Sequence, residues 1–330
     1  MKKYSLFVGI DISKLKIDVA IHGSSQHKVF ENNPSGFKAM AGWINSIASL
    51  KECFFCMEHT GIYAIPLCYY LNGHQYSYTL VPALAIKKSL GIQRGKNDKA
   101  DARAIAKFIS IYHHEVKIYQ LPEDILMKLK LMLSHRDRLI KAKNLFSVPV
   151  NELKSYIKQG MADEVIAQSR EELKLLKKQI RDIDMAMLAL VKSDERLAKI
   201  YQLIISVPGI GPQISLNMLV VTRCFTSFDN SRSFACYCGI APFAHTSGTS
   251  IKKPDQVSDL ANKKIKSILS MGATSVVGHD HETRRYYQRK LKEGKAAGSI
   301  LNAIKNKMMH RVFAVVKRET PFVKLDRYAA

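Results

Sequence analysis

The sequence predicts an α/β domain at the front of the chain, a segment of long helices after it, and a mainly helical region with a glycine-turned helix pair at the end. Three observations carry this expectation. Short apolar runs of strand character alternate with helical ones as far as Val81; apolar residues recur at helical spacing from Glu123 to about Lys199, where glycine nearly disappears; and glycine and proline return after Tyr201.

The elements follow in order. In "YSLFVGIDISKLKIDVAIH", Tyr4 to His22, Leu6, Val8 and Ile10 alternate with Phe7 and Gly9, which predicts a largely buried strand ending at Asp11. Ile17, Val19 and Ile21 predict its hairpin partner, with "DISKLK" as the turn. "HKVFENN" reads as a third strand, and "SGFKAMAGWINSIASL" as a helix with Phe37, Met40, Trp43 and Ile44 on its apolar side. "CFFCMEH" is a fourth strand, "IYAIPLCYYLN" a helix kinked at Pro66, "QYSYTLV" a fifth strand and "NDKADARAIAKFIS" a helix. Three consecutive strands, then helix, strand, helix, strand and helix, is the order of an RNase H-like fold.

In the middle segment, Leu126, Leu129, Leu133, Leu139 and Ile140 and then Leu173, Leu176, Ile180, Ile183, Met187 and Leu190 stand at helical spacing. This predicts an antiparallel coiled pair broken around "GMAD", a segment suited to positioning domains or forming a dimer. The expected boundaries are 1–118 for the α/β domain, 119–200 for the helical linker and oligomerisation segment, and 201–330 for the C-terminal domain.

Charge narrows the function. The 330 residues hold 51 Lys and Arg against 28 Asp and Glu, a formal net charge of +23, which exceeds what a typical metabolic enzyme carries and draws the chain toward a polyanion. Nucleic acid is the expected partner, since no basic amphipathic terminus or lipidation signal points to a membrane. Lys2 and Lys3 precede a strand with an aspartate and not a secretory leader, and no run reaches about 18 apolar residues, so a soluble intracellular protein is expected. Of six cysteines only Cys53 and Cys56 have a CxxC spacing, in a strand where positions three apart point to opposite faces, so reduced cysteines are expected and not a zinc site.

Four acids fall at the edges of the expected sheet. Asp11 ends the first strand and Glu58 the fourth; in a parallel pair their carboxylates would lie side by side. Asp98 and Asp101 in "KNDKADARAIAKF" stand three apart at a helix start, hence on one face. Their mutual repulsion calls for cations, and two Mg2+ ions about 3.5 to 4 Å apart would serve, activating an attacking oxygen and stabilising a leaving one. Lys87, Lys88, Arg94, Lys96, Lys99 and Arg103 surround the last pair, as suits a phosphodiester. Taken singly, each acid also reads as a cap or a salt-bridge partner.

"LIISVPGIGPQISLNMLVV" has the pattern of a helix-hairpin-helix, in which Gly209 and Gly211 permit a tight turn whose amides take a DNA phosphate without reading sequence. The following "HTSGTS" reads as a polar loop, in which Ser247 is a candidate nucleophile and His245 a candidate helper; a turn or cap is the plain alternative. From Ile251 to Arg311 fourteen Lys or Arg face five Asp or Glu. Lys252, Lys253, Lys263, Lys264, Arg284 and Arg285 are the expected backbone-binding cations there. In "HDHETRRYYQRKLKEGK", His279 and His281 have metal-ligand chemistry, but the Arg, Tyr and Lys mixture reads better as a phosphate-meeting helix.

Together "GIDISK", "MEHTGIY", "KNDKADARAIA", "VPGIGP" and "GIAPFAHTSGTSIKK" make the chain resemble, over nearly its whole length, transposases of the insertion sequence 110 family, relatives of the Piv-type DNA invertases. The resemblance implies a RuvC-like domain whose DEDD tetrad matches Asp11, Glu58, Asp98 and Asp101, and a C-terminal domain whose catalytic serine matches Ser247. It further implies Mg2+ as cofactor, with Mn2+ as substitute, and donor and target DNA as substrates. A structured guide (bridge) RNA, a homodimer assembling to a tetramer, and a cytoplasmic, nucleoid-associated place in a prokaryote also follow from it. The implied reaction is attack by Ser247 on a DNA phosphate to give a phosphoserine, followed by strand exchange and religation, with no nucleotide cofactor. Two other accounts remain: a RuvC-type Mg2+-dependent endonuclease, which needs the acids and not the serine, and a non-enzymatic nucleic-acid scaffold, which needs neither.

Overall fold

The computed structural model describes residues 4–91, 97–247, 251–257 and 260–323, with backbone alone at 244–247 and 251–256. The chain divides into two compact units, Met1–Leu121 and Pro122–Ala330.

The first unit is a five-stranded mixed sheet with helices on both faces. β1 (Leu6–Ile12), β2 (Lys16–Ile21) and β3 (His27–Glu31) run antiparallel in sequence, and β4 (Cys53–Glu58) and β5 (Ser77–Val81) join β1 in parallel, giving the order β3-β2-β1-β4-β5. This is the RNase H-like arrangement expected from the strand order. Because side chains alternate along a strand, each face has its own cover. Val8, Ile10, Ile12, Phe55 and Met57 pack with Phe37, Met40 and Ile44 of α1 (Pro34–Asn45) and Leu67 and Leu71 of α2 (Ile65–Gly73). Phe54 and Cys56 on the other face pack with Ile86 of α3 (Ala83–Ser89) and Ile105, Phe108 and Ile109 of α4 (Asp98–Tyr112). Cys53 and Cys56 thus belong to opposite cores, and burial pushes the Cys53 thiol up to about 11.

Two local expectations change. Pro66 does not kink a helix: a 3-10 turn over Gly61–Ala64 precedes it, and α2 starts at Ile65, so the proline occupies the first turn, where its missing N–H removes no bond. The helix α3 was not foreseen, its seven residues being too short to show a period.

The second unit is helical. α5 (Asp124–Tyr156) and α6 (Asp163–Lys192) form the antiparallel pair, and the break falls where "GMAD" placed it, with Gly160 at φ +90°. Arg136 of α5 donates to Asp184 of α6 at 2.6 Å, and Asp184 also accepts from Gln213 at 2.8 Å. Leu126, Leu129, Leu133, Met187 and Val191 at the base of the pair share one core with α7 (Glu195–Ile205) and α8 (Pro212–Thr222). That core continues through α9 (Ser231–Tyr237), α10 (Lys263–His279) and α12 (Ala297–Arg318), while α11 (His281–Lys292) contributes no fully buried residue. "HTSGTS" is more ordered than a loop as far as it is described: β6 (Pro242–Ser247) pairs with β7 (Ile251–Val257) in a hairpin. None of the described helices is long and apolar enough to cross a membrane.

Candidate active site

Register brings the acids of the first unit to one face. Gly9 shows which: a Cβ there would lie 2.2 Å from the Ala102 carbonyl oxygen and the Ala106 nitrogen, so α4 rests directly on the backbone of β1. Asp11, two residues on, faces the same way. Across the antiparallel pair Asp11 stands opposite Asp18. In the parallel pair Ile10 stands beside Met57, so one further step sets Asp11 level with Glu58. Neighbouring strands are about 4.8 Å apart.

The start of α4 completes the face. Asn97 caps it, its side chain accepting from the Ala100 amide at 2.8 Å, and Asp98 and Asp101 lie in the first turn. Asp11 senses all of them: burial, then the charges of Asp101, Asp98, Glu58 and Asp18, push its carboxyl from 3.8 to about 6.

Two participants escaped the sequence reading. Lys16 sends its ammonium to Asp98 at 2.7 Å and to Asp18 at 3.2 Å, and Asp18 is buried and bonded to His27 at 2.8 Å. The signal for Asp18 was present, since folding the hairpin about "DISKLK" sets it opposite Asp11; Lys16 meets Asp98 only through the tertiary fold.

Carboxylates are the hard oxygen donors Mg2+ prefers, and the pressure of like charges on Asp11, together with the ammonium bridging Asp98 and Asp18, marks a place that favours a cation. The donors do not form a closed cage: among the described residues no three His, Cys, Asp or Glu stand close enough to hold a metal. Mg2+ in general keeps several waters and is held by one or two carboxylates with substrate phosphates. His279 and His281 are included in that absence; His279 bonds the Ser275 carbonyl at 2.9 Å.

In the second unit, Gly209 has φ +85°, and a Cβ on it would come 2.9 Å from the Cβ of Val276. Gly211 is the N-cap of α8, with Pro212 in the first turn, and a Cβ there would meet open space. The two glycines therefore differ: Gly209 makes the turn fit its own protein, and Gly211 exposes the helix start. Ser247 ends β6 opposite Ile251, and Lys252 and Lys253 stand in β7; their side chains, with that of His245, lie outside the described residues, as do Arg94 and Lys96 entirely. Lys263 is exposed at the start of α10, whereas Lys264 is engaged by Asp137 of α5. The guanidinium of Arg284 donates to the Val277 carbonyl at 3.2 Å, closing the end of α10, while Arg285 is exposed.

An RNase H-like sheet with a convergent set of carboxylates, joined to a helical unit with a glycine-turned helix pair, defines a class of DNA strand-processing enzymes. Comparison with known proteins narrows it. A transposase family of the DEDD type of IS110 matches residues 8–159, and the transposase IS116/IS110/IS902 family matches residues 201–288. The chain belongs to the IS110 family of transposases and is an enzyme of DNA recombination. It is 29% identical to a pilin gene-inverting protein of Moraxella lacunata and 28% identical to that of Moraxella bovis, each over 96% of this chain and 98% of the relative. It is also 26% identical to an uncharacterized 43.6 kDa protein of insertion element IS110 from Streptomyces coelicolor, over 49% of this chain and 38% of that one.

Proposed function

We propose that this transposase cleaves and rejoins DNA through a covalent serine intermediate, assisted by Mg2+ at Asp11, Glu58, Asp98 and Asp101, and that a structured RNA encoded by its element guides it to donor and target. The observation that carries the metal part is the shared face of the four carboxylates and the rise of Asp11 to about 6 in their company. Mg2+, when bound, neutralises that charge and orients a phosphate. The protein's own groups do the rest. Asp11 and Glu58 are fixed by adjacent strands, so their separation is set by the sheet; Asp98 and Asp101 are carried by α4, whose seat on Gly9 sets their height above it.

The nucleophile is the Ser247 hydroxyl. Its oxygen forms a bond to the DNA phosphorus, the bond from phosphorus to the 3'-oxygen breaks, and the serine proton ends on the departing 3'-hydroxyl. The phosphoserine keeps the phosphodiester energy, so a 3'-hydroxyl from another strand reverses the step with no nucleotide cofactor. Ser247 stands at the end of β6, whose backbone is held by antiparallel pairing with β7. Donor and target DNA are the substrates, with backbone contacts from the Gly211 helix start and the exposed Lys263 and Arg285; Lys252 and Lys253 on the strand paired with that of Ser247, and Arg284 of α11, add further cations. The working form is a dimer assembling to a tetramer through the helical pair, in a prokaryotic cytoplasm at the nucleoid.

The test is a Mg2+-dependent reaction on labelled DNA carrying the element ends, with flanking RNA supplied or omitted. A protein–DNA adduct that survives denaturation and vanishes in Ser247→Ala supports the reading. Free cleavage products that persist in Ser247→Ala and vanish in Asp11→Asn would replace it with a RuvC-type endonuclease, and binding without any cleavage would leave a scaffold.

A further inference from the structure

The outer part of the helical pair carries a feature that this chemistry does not use. α5 and α6 enclose an open cleft of about 490 Å3, lined by Lys143, Lys154, Arg170, Lys174, Lys177 and Arg181 and by no acid. The segregation is not a matter of composition. α6 holds six Lys and Arg and six Asp and Glu, yet four of its cations enter the cleft and none of its carboxylates does. Arg170 and Lys174, and Lys177 and Arg181, are like-charged neighbours at i, i+4, an arrangement that weakens a helix unless an anion lies against it.

Where the pair does form ion pairs, the acid meets its cation outside the cleft: Asp184 of α6 holds Arg136 of α5, and Asp137 of α5 holds Lys264 of α10. Among the described residues none of the six cleft cations has a carboxylate within ion-pair distance. Ser147 and Asn151 between them add uncharged hydrogen-bonding groups.

We propose that the α5–α6 cleft is a nucleic-acid binding site that grips a phosphodiester backbone, separate from the carboxylate face and from Ser247. From Arg170 to Arg181 the helix rises about 16 Å, which matches about five phosphates along one strand at about 3.4 Å each. Backbone recognition is the chemistry on offer, because no aromatic ring lines the cleft to stack on a base. The same face of a second copy would be repelled by six like charges, so self-association through the cleft is disfavoured. The inference goes beyond the recombination chemistry and needs neither the metal nor the serine.

The test uses the full chain in EDTA, so that strand cleavage does not interfere, and fluorescence anisotropy with a labelled 30-base-pair DNA and a labelled 30-nucleotide RNA. The variant carries Arg170→Gln, Lys174→Gln, Lys177→Gln and Arg181→Gln, changes that keep helix propensity. The control carries Lys128→Gln, Lys130→Gln, Lys141→Gln and Lys178→Gln, exposed cations of the same helices outside the cleft. The cleft variant is expected to bind at least about tenfold more weakly at 0.15 M salt and to flatten the plot of log affinity against log salt by about two to four units, with the control losing under threefold. Loss with RNA alone assigns the cleft to an RNA, loss with DNA alone to the element or target, and loss with both to either backbone. Equal loss in variant and control, an unchanged salt slope, or loss of dimer with unchanged binding in sedimentation would overturn the proposal. Covalent adduct formation in Mg2+ is read separately, so failure here leaves the serine mechanism standing.

Discussion

The ammonium of Lys16 lies 2.7 Å from Asp98 and 3.2 Å from Asp18, a side-chain cation held within the acidic face of the sheet. Lys16 is the first residue of β2 and Asp98 the first of α4, so the contact joins the strand hairpin to the helix that carries half of the tetrad. Asp98 bonded in this way shares its carboxylate with an ammonium that competes with a metal for its charge. Replacing Lys16 by Met therefore removes a competing cation. Lys16→Met is expected to raise Mn2+ affinity several-fold, measured by electron paramagnetic resonance of free Mn2+. Weaker binding would show instead that Lys16 holds Asp98 in place.

Asp11 gives stability a pH dependence of unusual sign. Its carboxyl is raised from 3.8 to about 6, chiefly by burial and then by Asp101, Asp98, Glu58 and Asp18, so the folded chain holds this proton more tightly than the unfolded chain. The resulting stability is present in full below the unfolded value and is lost as pH rises through the folded one. Two units correspond to about 3 kcal/mol, and solvent screening at a half-buried group reduces this to about 1–2 kcal/mol. In EDTA, urea unfolding of Asp11→Asn at pH 7.5 is expected to show that gain, shrinking toward zero at pH 4. Mg2+ is expected to raise the melting temperature of the native chain and not of the variant.

Gly9 is where the carboxylate face is built. A Cβ 2.2 Å from the backbone of Ala102 and Ala106 cannot be absorbed by a side chain and must lift α4. Gly9→Ala is expected to cost about 2–3 kcal/mol and to weaken Mn2+ binding at least tenfold at temperatures where the protein remains folded. Normal metal affinity in a folded Gly9→Ala protein would mean that the height of α4 does not set the site.

Gly209 and Gly211 separate packing from binding. Gly209→Ala meets both a positive φ and the Val276 side chain, and is expected to cost about 1–3 kcal/mol in urea unfolding. Gly211→Asp places a good N-cap where the chain has open space, so stability should hold or rise by a few tenths of a kcal/mol. Its carboxylate takes the amides a phosphate would use, and affinity for duplex DNA is expected to fall several-fold. Unchanged binding in Gly211→Asp would remove the helix start from the DNA surface.

Local sequence determined most of the scaffold. Alternation fixed β1 and β2, the glycine-poor run fixed the helical pair with its break, and "PGIGP" fixed the turn between α7 and α8, because each signal is carried by neighbours in the chain. The sheet-edge positions of Asp11 and Glu58 and the helix-start positions of Asp98 and Asp101 were legible for the same reason. What lay outside local reach was decided by packing. Pro66 could open or bend a helix, and only the preceding 3-10 turn chose between them. Lys16 reads as one exposed lysine among many until α4 folds over β1 and brings Asp98 to it, and the cations of α6 read as a mixed-charge surface until α5 returns beside them. Strand and helix periods are written within a few residues, whereas the juxtaposition of charges arises between elements far apart in the chain, so only the tertiary structure decides it.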